Sequence, residues 1–392
     1  MADLDQEVTQ FMTRRAVVVG AGLGGLRAAE ALRKQDVDVV VIGDEPHLPY
    51  NRPPLSKEAL KGGISIDALE FRRRADGIDW RLGQAVTGCS LVDRRVEAGG
   101  DSYAFDGLVI ASGIRPRHLP VPGPHPEVLR TVDDAQRLRE RLAPGTRLLI
   151  VGAGFIGCEV AATARGLGCH VTVTAFDSQP MLRPLGEELG AAMRTHHEDH
   201  GVHFHLGVGV AEFHDDGVTL SDDTRLTADV VIEAVGSLPN VEWLDGNGLD
   251  LSDGVLTGND LRVVGTDAPV VAVGDIARFP NPLFDDVPRR VEHWNMPTET
   301  GKRAGATLGA MLRGESPEGE FRPMPSFWSD QYDYSLQSYG MPGLGEPRLV
   351  DGEWSGDCIV EYRRDDELVG VVGVNRTADV TRYRKEIGRH VP

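Results

Sequence analysis

The chain has 392 residues, a length that predicts two to three domains. Forty-one basic against sixty acidic residues leave a net charge of −19, which excludes bare nucleic acid or an anionic membrane as the main partner because both repel such a surface. Apolar and charged contents of 41% and 26% exclude global disorder, and 47 glycines without a proline surplus point to many tight turns inside folded domains.

Residues 1–13 read as a tail without an apolar h-region, so no signal peptide is expected. Next, residues 16–45 form a predicted unit of apolar strand, glycine turn, alanine-rich helix and second apolar strand. Residues 148–177 repeat it without a gap: Gly20, Gly22 and Gly25 fall on Gly152, Gly154 and Gly157, and Glu45 falls on Asp177. Each turn is a G-x-G-x-x-G dinucleotide fingerprint. The first glycine permits the turn, the second lets backbone approach a pyrophosphate, and the third lets helix pack on strand. The helix N-terminus then offers free N–H groups and a positive dipole end to the phosphates. Asp44 and Glu45 suit the ribose of the first unit. In the second, Asp177 serves that role, or the ribose is held otherwise. Two such sites in one chain point to two dinucleotides, and an oxidoreductase passing electrons from a nicotinamide to a flavin is the natural case.

After the first unit, His47 to Lys57 contains Pro53 and Pro54, with Arg52 and Lys57 placing positive charge close by. This run resembles a segment of the ferredoxin reductases of bacterial oxygenase and cytochrome P450 systems, and the resemblance extends along nearly the whole chain. Val109 to Gly113, with Ser112 where the family has threonine, is similar to one family motif. Val235-Gly236 with Pro239-Asn240 is similar to another. Ala272 to Ala277 resembles the flavin-ribityl motif with Gly274 and Asp275. Glu292-His293-Trp294 and Phe327 to Asp333, including Trp328, resemble two aromatic motifs beside the isoalloxazine. The alternative for Trp294 and Trp328 is a place in the core, and for Asp275 a turn cap. From Asn295 a helix is predicted, with Pro297 in its first turn and its end near Leu312.

The resemblance implies an α/β fold of glutathione-reductase type. It has two Rossmann-like dinucleotide-binding domains, FAD (14–117 and 241–325) and NAD(P)H (118–240), and a C-terminal α+β interface domain (326–392). It implies FAD and NADH as cofactors, with NADPH open because Ala175 stands where the family usually has glutamate and Arg183 follows. It implies a Lys57–Glu159 pair beside the flavin, where the alternative for Glu159 is an ordinary helix-surface carboxylate. The partner it implies is an acidic [2Fe–2S] ferredoxin. An acidic chain needs a local basic patch to dock one, and Arg72-Arg73-Arg74, Arg289-Arg290 and Arg382, Arg384, Lys385 and Arg389 are candidates.

Cys89, Cys158, Cys169 and Cys358 form no C-x-x-C pair and no metal pattern, so no metal is expected and a reducing, cytoplasmic setting follows. No cysteine lies between Gly25 and Cys89, which excludes disulfide reductases and cysteine-dependent peroxidases. The remaining rivals are an NAD(P)H oxidase acting on small acceptors and an NADH-binding flavoprotein of the apoptosis-inducing-factor type.

Overall fold

A computed structural model describes residues 14–62 and 65–388, so the N-terminal tail and Arg389 lie outside the described residues. The first glycine unit supplies the centre of a five-stranded parallel sheet, ordered Val270–Ala272, Gly107–Ile110, Arg15–Val19, Asp38–Ile42 and Ile78–Arg81. Its inner strands read as near-continuous apolar runs because both faces are covered, while the edge strand Ile78–Arg81 alternates apolar and charged residues. Ala16, Val17 and Val18 are wholly buried, and each buried valine contributes about 1.5–3 kcal/mol.

The second unit supplies a four-stranded parallel sheet, ordered Val202–Leu206, His170–Ala175, Arg147–Val151 and Val230–Glu233. Two crossing segments, Ile114–Pro116 and Ser237–Pro239, pair antiparallel where the chain enters and leaves this sheet. Asn240 ties the crossing: its amide donates to the Ser112 carbonyl at 2.8 Å, while the Ser112 hydroxyl donates to the Asn240 carbonyl at 2.9 Å.

The helix predicted after Trp294 spans Met296–Arg313. It packs on the first unit's helix, Leu23–Arg33, through a stripe of glycines. A Cβ on Gly301 would come within 2.7 Å of the Gly24 carbonyl oxygen, and one on Gly305 within 2.6 Å of the Ala31 Cβ. Only glycine at this i, i+4 spacing lets the two backbones touch. Asn295 at the helix start spends its side chain on the next region instead of capping. It donates to the Met324 carbonyl at 2.8 Å and accepts from the Ser326 N–H at 3.0 Å.

Residues 326–374 form a five-stranded antiparallel sheet, followed by a short helix, Thr377–Tyr383. Its first hairpin, Ser326–Gln331 with Tyr334–Gly340, lies against the second unit's helix, Phe155–Gly166. Among the described residues no helix is long and apolar enough to cross a membrane.

Candidate functional site

The two glycine turns divide their labour identically. Gly20 has φ +117° and Gly152 has φ +112°, a region costly for any other residue. A Cβ there would strike the Ala111 carbonyl oxygen at 2.0 Å or that of Ala234 at 2.2 Å. Likewise, a Cβ on Gly25 or Gly157 would strike the carbonyl oxygen of Gly20 or Gly152, at 2.0 and 2.1 Å. These outer glycines serve the fold. The middle ones, Gly22 and Gly154, would meet no protein atom within 4 Å. Each stands at the N-cap of its helix and offers no side-chain cap. Helix N–H groups facing open ground are the donor set a pyrophosphate needs, so both turns fit a dinucleotide.

Above the first turn lies a cavity of about 670 Å³, within the usual range for a small-molecule site. Gly20, Gly22, Asp44, Glu45, Arg52, Lys57, Ser112, Gly113, Glu159, Gly274, Asp275, Glu292, His293, Trp294 and Trp328 all line it. Gly25 lies beneath. Gly152, Gly154, Gly157, Asp177 and Gly236 do not line this cavity, and the second unit reaches it only through Phe155, Ile156 and Glu159.

Charge is concentrated around the cavity wall. Arg52 donates to Glu45 at 2.6 Å and to the Arg130 carbonyl at 2.8 Å, and the Tyr50 hydroxyl donates to the same Glu45 carboxylate at 2.5 Å. The Arg52 fork thus already holds a carboxylate. Arg130, which sequence reasoning missed, lies 3.7 Å from Asp275 and lines the same wall. Burial lifts the Asp275 carboxyl above the usual range, with Arg130 pulling the other way. Asp275 thus turns its carboxylate toward the cavity and Arg130. Glu292 accepts from Ser237 at 2.8 Å and from Arg290 at 2.8 Å.

The aromatic residues are not ordinary core. Trp294 is 39% exposed and donates its indole N–H to Asn51 at 2.9 Å. Trp328 meets it edge-on, with ring centroids 5.1 Å apart at 79°. Below them Phe327 is buried between Phe155 and His293. Burial pushes the His293 imidazole down to about 4, so it is neutral near pH 7.

Lys57 and Glu159 meet at 2.6 Å, with side chains only 13% and 8% exposed. Glu159 is thus buried, which overturns the reading of it as a surface carboxylate. Its position is held from both sides. Ser56 donates to Oε2 at 2.5 Å and Ser329 to Oε1 at 2.6 Å. Gln331 donates to Ser329 at 2.9 Å, and His197 is 2.7 Å from the Gln331 carbonyl. Residues from the first region, the second unit and the C-terminal hairpin therefore converge on one carboxylate. Neither Ser56 nor Gln331 carries a sequence signal beyond lying inside quoted motifs.

All four cysteines are free, and none lines the cavity. Burial pushes the Cys89 thiol up to about 12 and that of Cys358 up to about 11, so neither is a thiolate at neutral pH. Cys158 is fully buried in its helix. The basic candidates separate. Arg72, Arg73 and Arg74 are exposed, with Glu70 3.8 Å from Arg73, whereas Arg289 and Arg290 are partly buried, Arg289 paired with Asp285 and Arg290 with Asp253 and Glu292.

Residues 14–301 match the model of the pyridine nucleotide-disulphide oxidoreductase family, and residues 326–392 match the reductase C-terminal model. The chain is 33% identical to rhodocoxin reductase of Rhodococcus erythropolis, across 96% of this chain and 90% of that one. It is 34% identical to the ferredoxin–NAD(+) reductase component of the anthranilate 1,2-dioxygenase system of Burkholderia cepacia, across 95% and 93%. It superimposes on the reductase in the crystal structure of the covalent putidaredoxin reductase–putidaredoxin complex with a TM-score of 0.86, at 31% identity across 96% and 93%. The chain therefore belongs to the pyridine nucleotide-disulphide oxidoreductase family, among the ferredoxin reductases of oxygenase systems.

Proposed function

We propose that this protein takes reducing equivalents from NADH and passes them one at a time to a [2Fe–2S] ferredoxin that serves an oxygenase or cytochrome P450. Bound FAD supplies the chemistry, accepting a hydride and releasing single electrons. The chain's own residues bind, orient and shield. In this reading the first glycine turn, Glu45, Arg52, Arg130 and Asp275 hold FAD, and the second turn with Asp177 and Gly236 holds NADH. The chain then divides into FAD-binding residues 14–117 and 241–325, NADH-binding residues 118–240, and an interface region at 326–392.

The observation that carries the reading is the buried Lys57–Glu159 pair at the junction of both units, in a cavity lined by no thiol. Lys57 places a fixed positive charge at the cavity and Glu159 holds it there. Phe327, Trp294 and Trp328 give the same cavity an aromatic wall. Without a dithiol, electrons leave directly to an outside acceptor. Free thiols at all four cysteines suit the cytoplasm.

The test is anaerobic bleaching of the purified holoprotein by NADH and by NADPH, followed by delivery to a panel of [2Fe–2S] ferredoxins. Fast bleaching by NADH and ferredoxin-dependent turnover are expected. Rapid oxygen consumption indifferent to every ferredoxin, or a reduced complex that never turns over, would sink the proposal.

A further inference from the structure

Away from the cavity, the helix Leu182–Asp199 ends against the turn of the C-terminal hairpin. His196 and His200, one helical turn apart, meet Asp333 of that hairpin there. One ligand atom from each of the three lies within 4.8 Å of the others. The geometry points to a divalent transition-metal site at His196, His200 and Asp333, of the kind that takes zinc, joining this helix to the hairpin that carries Trp328.

Three observations carry the assignment. First, the His196 side chain is nine-tenths buried, and its Nε2 has no hydrogen-bond partner. Asp333 Oδ1 lies 3.1 Å from that nitrogen without the alignment of a hydrogen bond. A buried nitrogen left without a hydrogen bond beside a carboxylate is costly, and a cation between the two satisfies both. Second, His200 Nδ1 is 2.8 Å from the His196 carbonyl oxygen. A carbonyl only accepts, so Nδ1 carries the proton and Nε2 presents its lone pair, the outer-shell arrangement that orients metal-ligating histidines. Third, both rings are fixed by stacking: His196 lies parallel on Tyr334 at 3.6 Å and His200 on Tyr332 at 3.8 Å.

Ligand atoms around tetrahedral zinc stand roughly 3.3 Å apart, so the trio must contract slightly. That contraction falls to Asp333, whose side chain is 77% exposed and has room to turn inward. Imidazole and carboxylate together suit zinc, nickel or copper better than calcium or magnesium. The site neighbours the buried chain that supports Glu159, because His197 adjoins His196 and reaches Gln331, two residues before Asp333.

The test uses tag-free holoprotein stripped with a chelator and titrated with zinc chloride by calorimetry. Binding of one equivalent is expected, with a rise in the thermal midpoint. His200→Gln and Asp333→Asn, both at exposed positions, should fold with unchanged flavin absorbance. Each should weaken zinc binding at least tenfold and abolish the thermal shift. No saturable binding by the wild type, or equal binding by wild type and both variants, overturns the site. Ferredoxin reduction is not the readout, so a failed site leaves the proposed activity untouched.

Discussion

The two glycine units share a backbone and differ in what surrounds it. Both place two glycines where only glycine fits and a third under open ground. The first unit's second strand leads into Asp44 and Glu45, which join Tyr50 and Arg52 in a charged wall. The second unit's strand ends at Ala175, followed by Phe176 at 81% exposure and a half-buried Asp177. The repeated part is thus a glycine turn at an uncapped helix N-terminus, and the unrepeated flanks differ in charge and exposure. The second unit also gives up part of its helix, through Glu159, to the first unit's cavity.

The largest effect expected is at that shared point. Lys57→Met leaves the buried Glu159 without its counter-charge and should slow NADH-driven flavin reduction by about 10²-fold, the scale of a misplaced reacting pair. Stopped-flow traces with FAD content unchanged would check it. If the rate holds, the junction of the two units is structural only.

Acid tests each region separately. Burial sets His293, beside the first unit, and His197, behind the second, at about 4 against an ordinary 6.5. Between those values the unfolded chain binds a proton that the folded chain refuses, so stability is full above pH 6.5 and falls as pH drops toward 4. Moving from pH 7.5 to pH 5 should cost about 2 kcal/mol for each histidine. Denaturant midpoints for His197→Gln should have a shallower pH slope than wild type, and an unchanged slope would remove this histidine from the account.

Gly22→Ala and Gly154→Ala separate the two platforms. Neither Cβ meets a protein atom, so the cofactor-free chain should lose only about 1 kcal/mol or less, as for a changed helix cap. Gly22→Ala should weaken FAD retention about tenfold (~1.4 kcal/mol). Gly154→Ala should raise the KM for NADH by a similar factor and leave FAD in place. Equal effects of both variants on both ligands would erase the distinction between units. The smallest effect is expected from Phe176→Ala. An exposed aromatic lost at the second strand tip should leave thermal stability unchanged and raise the KM for NADH about threefold, the lower range of a stacking contact.

The duplicated units were legible because each is local: thirty residues whose apolar strands, glycine turn and alanine-rich helix need no distant partner to be recognised. The helix at Met296–Arg313 was legible through Pro297 for the same reason. Among the basic candidates, the pairing of Arg290 with Asp253 was not legible, because the two lie 37 residues apart in the chain. Arg130 escaped notice because nothing near it in the chain reveals that it faces Asp275, 145 residues on.

From its order of residues alone this chain dictates two strand–glycine turn–helix units and the lack of any cysteine between Gly25 and Cys89, because backbone freedom and thiol chemistry belong to single residues and their nearest neighbours. Tertiary structure alone decides that Ser56 and Ser329, far apart in the sequence, clasp one glutamate, and that two tryptophans meet edge to face. Such contacts join segments more than a hundred residues apart in the case of the glutamate, so their geometry follows from how the layers pack and not from any pattern within a segment.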